Sequence, residues 1–174
     1  MENMIFKRTS VRSYTSEKIT NEEIELLMKA AMAAPSGCNA QPWEFIVVQK
    51  REILDKIMQV HPFSTMLKEA PLAIVVCSNN DKRPQFVPHV QLWPQDCSAA
   101  TENILLQAAE MGLGGVWLGV HPRYELQKPL SEVLNLPNNI IPFSIISIGH
   151  PKGDVKPKDK FDKTKIHYDT WEEK

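Results

Sequence analysis

The first candidate ligand-binding site in the sequence is a loop, Ala34-Pro35-Ser36-Gly37-Cys38-Asn39-Ala40-Gln41-Pro42-Trp43. Its prolines, and the restriction that each places on the residue before it, exclude both a helix and a central strand. Ser36, Asn39 and Gln41 offer uncharged donors and acceptors, and Gly37 allows close approach of the backbone, which suits a flat heteroaromatic ligand. The same side chains equally suit capping of the loop's own backbone. The residues alone leave both interpretations open.

A second candidate is the cationic segment Lys7-Arg8-Thr9-Ser10-Val11-Arg12 near the amino terminus. Arginine forks match phosphate oxygens, and hydroxyl groups can complete the shell around them. The segment therefore predicts a site for a terminal phosphate. A solvated basic stretch without a ligand is the alternative.

The third candidate is Gly112-Leu113-Gly114-Gly115-Val116-Trp117-Leu118-Gly119, a short apolar strand among four glycines. Such a strand lets main-chain N–H groups approach a flat ligand. It has neither the GxGxxG spacing of a Rossmann site nor the lysine of a P-loop.

These candidates include no acid, base or nucleophile of their own. The sequence shows no carboxylate pair, no Ser-His-Asp order and no reactive-cysteine setting, and its five histidines never fall at the spacing of a helical metal pair. A protein that holds a planar ring and a phosphate without such groups leaves the chemistry to a cofactor. The pattern favours flavin mononucleotide (FMN) and no metal.

Composition sets the class of protein. The 174 residues, 43% hydrophobic and 24% charged, predict a single globular domain spanning 1–174. A net charge of -1 gives no general attraction to nucleic acid or membrane, and no apolar run is long enough to span a bilayer. Three cysteines without CxxC spacing, of which Cys77 and Cys97 suit buried positions, predict reduced thiols and a cytoplasmic protein.

The hydrophobic pattern predicts the elements that position these candidates. Thr20 and Glu23 form a capping box that starts a helix ending near Ala33. Further helices are predicted over 52–60, 96–111 and 122–134, and within the last of these Pro129 is predicted to begin a second short helix. Strands are predicted over 45–48, 72–77 and 143–149, and the last strand alternates between apolar and polar residues.

Two segments have no such pattern. Residues 79–94 are long, polar and broken by prolines, and are predicted to be mobile or to cover a site. From Pro151 the chain is rich in lysines and acids, with Phe161, Ile166, Tyr168 and Trp171 as its large apolar residues. We expect 151–174 to be an extension that docks on a neighbouring subunit.

Four motifs in order resemble the nitroreductase family of FMN-dependent oxidoreductases. They are Arg8-Thr9-Ser10-Val11-Arg12, Pro35 to Trp43, Gly112 to Gly119 and the tail His167-Tyr168-Asp169-Thr170-Trp171. The resemblance implies an α+β three-layer sandwich, with a mainly antiparallel sheet flanked by helices, built as an intertwined homodimer with two shared FMN sites.

The resemblance also implies roles for residues. The FMN phosphate would be held by Arg8, Thr9, Ser10 and Arg12 with Lys158 and Lys160, although the family usually has arginine where Lys160 stands. The partner's loop would bring Pro35, Ser36 and Gly37 to the ring, with Asn39 and Gln41 in the same loop and Asn39 at the pyrimidine edge. Many relatives carry a second serine where Gly37 stands. Backbone groups of Trp117, Leu118 and Gly119 would face flavin nitrogen 5.

The implied reaction is a ping-pong transfer of hydride from NADH or NADPH, through the flavin, to a nitroaromatic, quinone or similar acceptor. The alternatives are a specialised reaction on the same fold, such as enone reduction, dehalogenation or flavin fragmentation, or an FMN-binding protein without catalysis.

Overall fold

The computed structural model describes residues 3–82 and 91–171. Its helices are α1 (Met4–Lys7), α2 (Asn21–Met32), α3 (Arg51–Val60), α4 (Trp93–Glu110) and α5 (Tyr124–Val133). Its strands are β1 (Trp43–Val48), β2 (Leu72–Asn79), β3 (Gly114–Gly119) and β4 (Ile140–Gly149). Residues 83–90, half of the segment expected to cover a site, lie outside the described residues.

The four strands form one antiparallel sheet in the order β1-β2-β4-β3. The prediction that 72–77 is an interior strand is confirmed, because β2 lies between β1 and β4 and these residues are fully buried. The prediction of alternating burial in β4 is wrong. Ser144 and Ser147 are as buried as the isoleucines between them, since both faces of this central strand are covered.

Helices cover both faces of the sheet, which confirms the three-layer α+β arrangement. Leu72, Ile74 and Val76 of β2 share one core with residues of α2 and α4. Ala73 and Val75, which point to the other face, share a second core with residues of α3 and α5. The sheet is therefore buried between two helical layers.

The start of α2 matches its sequence signal. Thr20 accepts a hydrogen bond from the Glu23 N–H at 3.2 Å, and the Glu23 carboxylate accepts one from the Thr20 N–H at 2.7 Å. This confirms the predicted capping box, and the helix ends with Ala33 as its C-cap, as expected.

Two other helix boundaries differ from the predictions. α4 begins at Trp93 rather than at Asp96, because Pro94 is accommodated in its first turn. Pro129 does not begin a second helix but lies inside α5. Leu126 and Leu130 are both buried against the same core, so continuous packing offsets the one backbone hydrogen bond that the proline removes.

The amino-terminal segment is attached to the sheet through Tyr14. Its hydroxyl donates to the Val11 carbonyl at 2.7 Å and lies 3.2 Å from the Ser147 carbonyl of β4. Next to it, the Thr15 N–H donates to the His150 carbonyl and the Lys152 N–H to the Ser13 carbonyl. Burial raises the pKa of Tyr14 to about 12.

This shift predicts a loss of stability in alkali. Between pH 10 and 12 the unfolded tyrosine ionises while the folded one stays protonated, so the free energy of unfolding falls by about 2 to 3 kcal/mol. Tyr14→Phe removes this component, and at neutral pH it lowers stability by about 1 kcal/mol through the lost hydrogen bonds. Urea unfolding of both proteins from pH 9 to 12 measures the difference. An equal slope in the two proteins would contradict the assignment.

The carboxyl-terminal segment leaves the sheet at Pro151, which pairs with Tyr14 in an isolated bridge. Beyond it Phe161, Tyr168 and Trp171 are 68%, 81% and 79% exposed. The Trp171 ring stacks on His167 at a centroid distance of 4.0 Å. These aromatic side chains therefore lie outside the two cores of the chain.

Candidate functional site

The candidate site is built around the outer edge of β3. The Val11 N–H donates to the Gly115 carbonyl at 3.0 Å, and Ser10 pairs with Gly115 in a parallel bridge. A Cβ built on Gly114 would lie 2.6 Å from the Val11 Cβ, so this close approach requires glycine. The cationic segment 8–12 is thus fixed against β3.

At the start of this segment, a cavity of about 500 Å³ contains four of the residues predicted to hold a phosphate: Arg8, Thr9, Lys158 and Lys160. We call it the cationic cavity; Asp159 is the acidic residue in its lining, and Ile5, Phe6, Pro157 and Phe161 complete it. Arg8 Nε lies 3.3 Å from the Glu102 carboxylate, an ion pair that a bound anion would have to compete with. The cavity carries an excess of positive charge.

Beyond Ser10, the segment borders a second cavity of about 620 Å³, whose lining includes Arg12, Trp117, Leu118 and Gly119. We call it the strand-edge cavity; its other lining residues are His61, Pro62, Phe63, Thr65, Met66, Val116, His121 and Arg123. These residues include two arginines and no carboxylate. A Cβ built on Gly119 meets nothing within 4 Å, which shows open space beside this glycine.

Strand parity decides which backbone groups face the strand-edge cavity. The Gly115 carbonyl points to the outer edge, where it accepts from Val11. Trp117 and Gly119 have the same parity, so their N–H and C=O groups point to that edge as well, whereas those of Leu118 point to β4. Of the three residues predicted to offer backbone groups, Trp117 and Gly119 are therefore placed to do so.

His61, which directly follows α3, lies at this edge. Its side chain is buried, and Nε2 lies 3.1 Å from the Gly119 carbonyl oxygen, to which it can only donate. Nδ1 is buried without a hydrogen-bond partner. In the sequence His61 directly follows the predicted helix 52–60, and a histidine at a helix end carries no local signal of this contact.

Phe63 and Arg123 form the rim of the strand-edge cavity. The Arg123 guanidinium lies over the Phe63 ring, 5.7 Å from its centroid, and its Nε donates to the Glu125 carboxylate at 2.9 Å. That bond with Arg123 is the main cause that lowers the pKa of Glu125. Neither rim residue stood out in the sequence, because they meet only through the fold.

The loop predicted to bind a ring makes hydrogen bonds within itself. The Ser36 hydroxyl oxygen accepts from the Gln41 N–H at 3.0 Å, and the Asn39 side-chain oxygen accepts from the Gln41 side-chain amide at 2.9 Å. Cys38, Asn39 and Gln41 all have positive φ angles, between 46° and 54°. This backbone is strained, and strain of this kind clusters at functional sites.

A carboxylate outside the loop holds Gly37 in place. The Gly37 N–H donates to the Asp96 carboxylate at 2.8 Å, and burial raises the pKa of Asp96. The loop residues 35–41 line neither the cationic nor the strand-edge cavity of the same chain; Gln41 instead lines a cleft beside Trp43. The described residues contain no group of three or more His, Cys, Asp or Glu side chains placed to hold a metal ion.

A model of the Nitroreductase family matches residues 5–61 and 60–150. The chain belongs to the nitroreductase family. It is 48% identical over 171 residues to an Archaeoglobus fulgidus protein provisionally named NADH dehydrogenase/NAD(P)H nitroreductase, with 97% of each chain covered. This confirms the resemblance inferred from the four motifs.

Solved nitroreductase structures share the fold. A crystal structure from Clostridium acetobutylicum, provisionally named NADH oxidase, superimposes with a TM-score of 0.90 at 45% identity, covering 97% of this chain and 99% of that one. An FMN-dependent nitroreductase from Clostridium difficile R20291 superimposes with a TM-score of 0.88 at 33% identity, covering 98% and 100%. Within residues 3–82 and 91–171, no helix of this nitroreductase-family chain is long and apolar enough to cross a membrane.

Proposed function

We propose that this nitroreductase-family protein is an FMN-dependent oxidoreductase that transfers hydride from NADH or NADPH to an acceptor such as a nitroaromatic or a quinone. The observation that carries the proposal is the placement of the predicted residues. Arg8, Thr9, Lys158 and Lys160, all predicted to hold the phosphate, line one cavity. Arg12, also predicted at the phosphate, instead lines the other cavity with Trp117, Leu118 and Gly119, and segment 8–12 borders both cavities. The names of the close relatives point to the same chemistry.

The two cavities fit the two ends of a flavin nucleotide. The lining of the cationic cavity has three basic side chains and one acidic side chain, Asp159, and this excess of positive charge suits a phosphate dianion. The strand-edge cavity offers outward backbone groups at Trp117 and space beside Gly119, which suits a flat ring with hydrogen-bonding edges. The Cα atoms of Arg8 and Arg12 are at most about 14 Å apart, a span suited to an elongated mononucleotide.

The residues of this chain have separate tasks in the proposed reaction. Arg8, Lys158 and Lys160 neutralise the phosphate. Arg12 and the outward N–H groups of β3 lie at the ring, where positive charge and donors stabilise negative charge. Bound FMN would supply the redox chemistry for a ping-pong transfer of hydride from the nicotinamide to the acceptor. In this proposal the residues named here orient the reactants and act neither as acid nor as base.

We include a homodimer in the proposal, with the loop 35–41 of each subunit reaching the ring bound by the other. Support comes from the strained, ordered loop, which lines neither cavity of its own chain, and from the exposed aromatic side chains of Phe161, Tyr168 and Trp171. Burial of these side chains on a second subunit is favourable by roughly 25 cal/mol per Å². Light scattering on the purified protein is expected to give the dimer mass, and a monomer would contradict this part of the proposal.

The reaction is tested by mixing the protein with FMN without oxygen, adding NADH or NADPH, and following the flavin absorbance. Fast bleaching, followed by recovery of the yellow colour on addition of a nitroaromatic or a quinone, is expected. FMN bound without bleaching by either nucleotide would instead support an FMN-binding protein without catalysis. Failure to bind FMN would contradict the proposal as a whole.

A further inference from the structure

We propose that His61 is a positioning residue that fixes the backbone of Gly119 at the flavin ring. The inference rests on the proposed function, since it takes the ring to lie in the strand-edge cavity. It adds a role for a side chain that no sequence motif indicated.

A hydrogen bond links His61 to the outer edge of β3. Gly119 is the last residue of β3, and its N–H and C=O groups point away from β4 toward the open edge. Two hydrogen bonds attach to this edge: the Val11 N–H donates to the Gly115 carbonyl, and His61 Nε2 donates to the Gly119 carbonyl. His61 therefore fixes the far end of the edge, leaving Trp117 between the two attachments.

Burial of the His61 imidazole has an energetic cost. His61 is 2% exposed, and its Nδ1 has no hydrogen-bond partner. A buried acceptor without a donor destabilises the folded chain, so an apolar side chain of similar size would suit this position better if packing were its only task. What the imidazole provides beyond packing is the donor to Gly119.

Gly119 has more conformational freedom than a residue with a side chain. Glycine has no Cβ, and a Cβ built at this position meets no atom within 4 Å, so neighbouring side chains do not restrict this backbone from that direction. The peptide group that joins Gly119 to Val120 is held from both sides, because the Val120 N–H donates to the Phe143 carbonyl at 3.1 Å and the Gly119 carbonyl accepts from His61. Without the bond from His61, it is held from β4 alone. Fixing it in advance reduces the entropy lost on ligand binding.

The test compares three substitutions at His61 by titration with FMN and by urea unfolding of the apoprotein. His61→Leu removes the donor; His61→Gln places an amide nitrogen near the position of Nε2; His61→Asn carries an amide too short to reach Gly119. We expect His61→Leu and His61→Asn to weaken FMN binding about tenfold, because binding must then order the Gly119 peptide group that His61 holds in the wild type. His61→Gln should bind within about threefold of the wild type.

A matched control separates positioning from stability. Ile57→Val removes one buried methylene group from the last turn of α3 and should lower the urea midpoint without changing FMN affinity or the visible spectrum of bound flavin. His61→Leu should show the reverse, a midpoint that is not lowered and a changed spectrum. Wild-type affinity in His61→Leu, no rescue by glutamine, or an equal loss of affinity in Ile57→Val would overturn the inference. If the wild type bound no FMN, the proposed function would fail first, and the inference with it.

Discussion

Replacing Gly114 with alanine is expected to weaken FMN binding by 100-fold or more. The added Cβ would lie 2.6, 2.7 and 2.8 Å from the Cβ, Cγ1 and Cγ2 atoms of Val11. Valine is branched at Cβ and cannot rotate out of such a contact, and its backbone is held by Gly115. The segment must therefore move away from β3, and Arg8 and Arg12 move with it. Losing two charge-assisted contacts accounts for the size of the effect.

The variant should remain folded. Overpacking of this kind costs about 1 to 3 kcal/mol, which is less than the stability of a typical domain. Gly115→Ala is the matched control, because its Cβ would point to the other side and meet the Leu105 Cδ2 atom, a flexible side-chain end, at 3.0 Å. Urea unfolding and FMN titration of both variants are the measurements. Tight FMN binding by Gly114→Ala would show that the position of the segment does not matter for the cofactor.

Arg12→Ala is expected to weaken the binding of FMN and of riboflavin alike, by roughly ten- to 100-fold. Arg12 lines the strand-edge cavity, where the ring is proposed to bind, whereas Arg8 lines the cationic cavity, where the phosphate is proposed to bind. A charge-assisted hydrogen bond is worth about 1.5 to 3 kcal/mol. Arg8→Ala should instead weaken FMN binding and leave riboflavin binding unchanged, because riboflavin has no phosphate.

The comparison of FMN with riboflavin distinguishes the two arginines without relying on activity. Lys29→Ala is a suitable control, since Lys29 is an exposed cation that pairs with Glu25 at 2.6 Å and lines neither cavity. The fold should survive all three substitutions, which thermal unfolding checks. If Arg12→Ala lost affinity for FMN alone, Arg12 would belong with the phosphate, as the family resemblance implied.

The parts of the fold that follow from sequence are those with local causes. The Thr20 and Glu23 capping box needs only four consecutive residues, and the buried strand 72–77 follows from an unbroken apolar run. Pro129 was misjudged because its local preference is overridden by the burial of Leu126 and Leu130 in a core that the sequence does not display.

The candidate site likewise has features that follow from the local sequence and features that depend on the fold. Its residue types were predictable, because arginines and lysines indicate a phosphate site and glycines indicate close approach of the backbone. Its arrangement was not, since the separation of Arg8 from Arg12 depends on how one segment runs along β3. The contact between His61 and Gly119 joins residues far apart in the chain, and no periodic pattern encodes it.

The central claim is that one flavin spans the two cavities along segment 8–12. A crystal structure of the protein grown with excess FMN tests it most directly. The expected result is a phosphate against Arg8 and Lys158, with the ring beside Trp117 and Gly119. FMN bound elsewhere on the chain, or both cavities empty at saturating FMN, would contradict the claim.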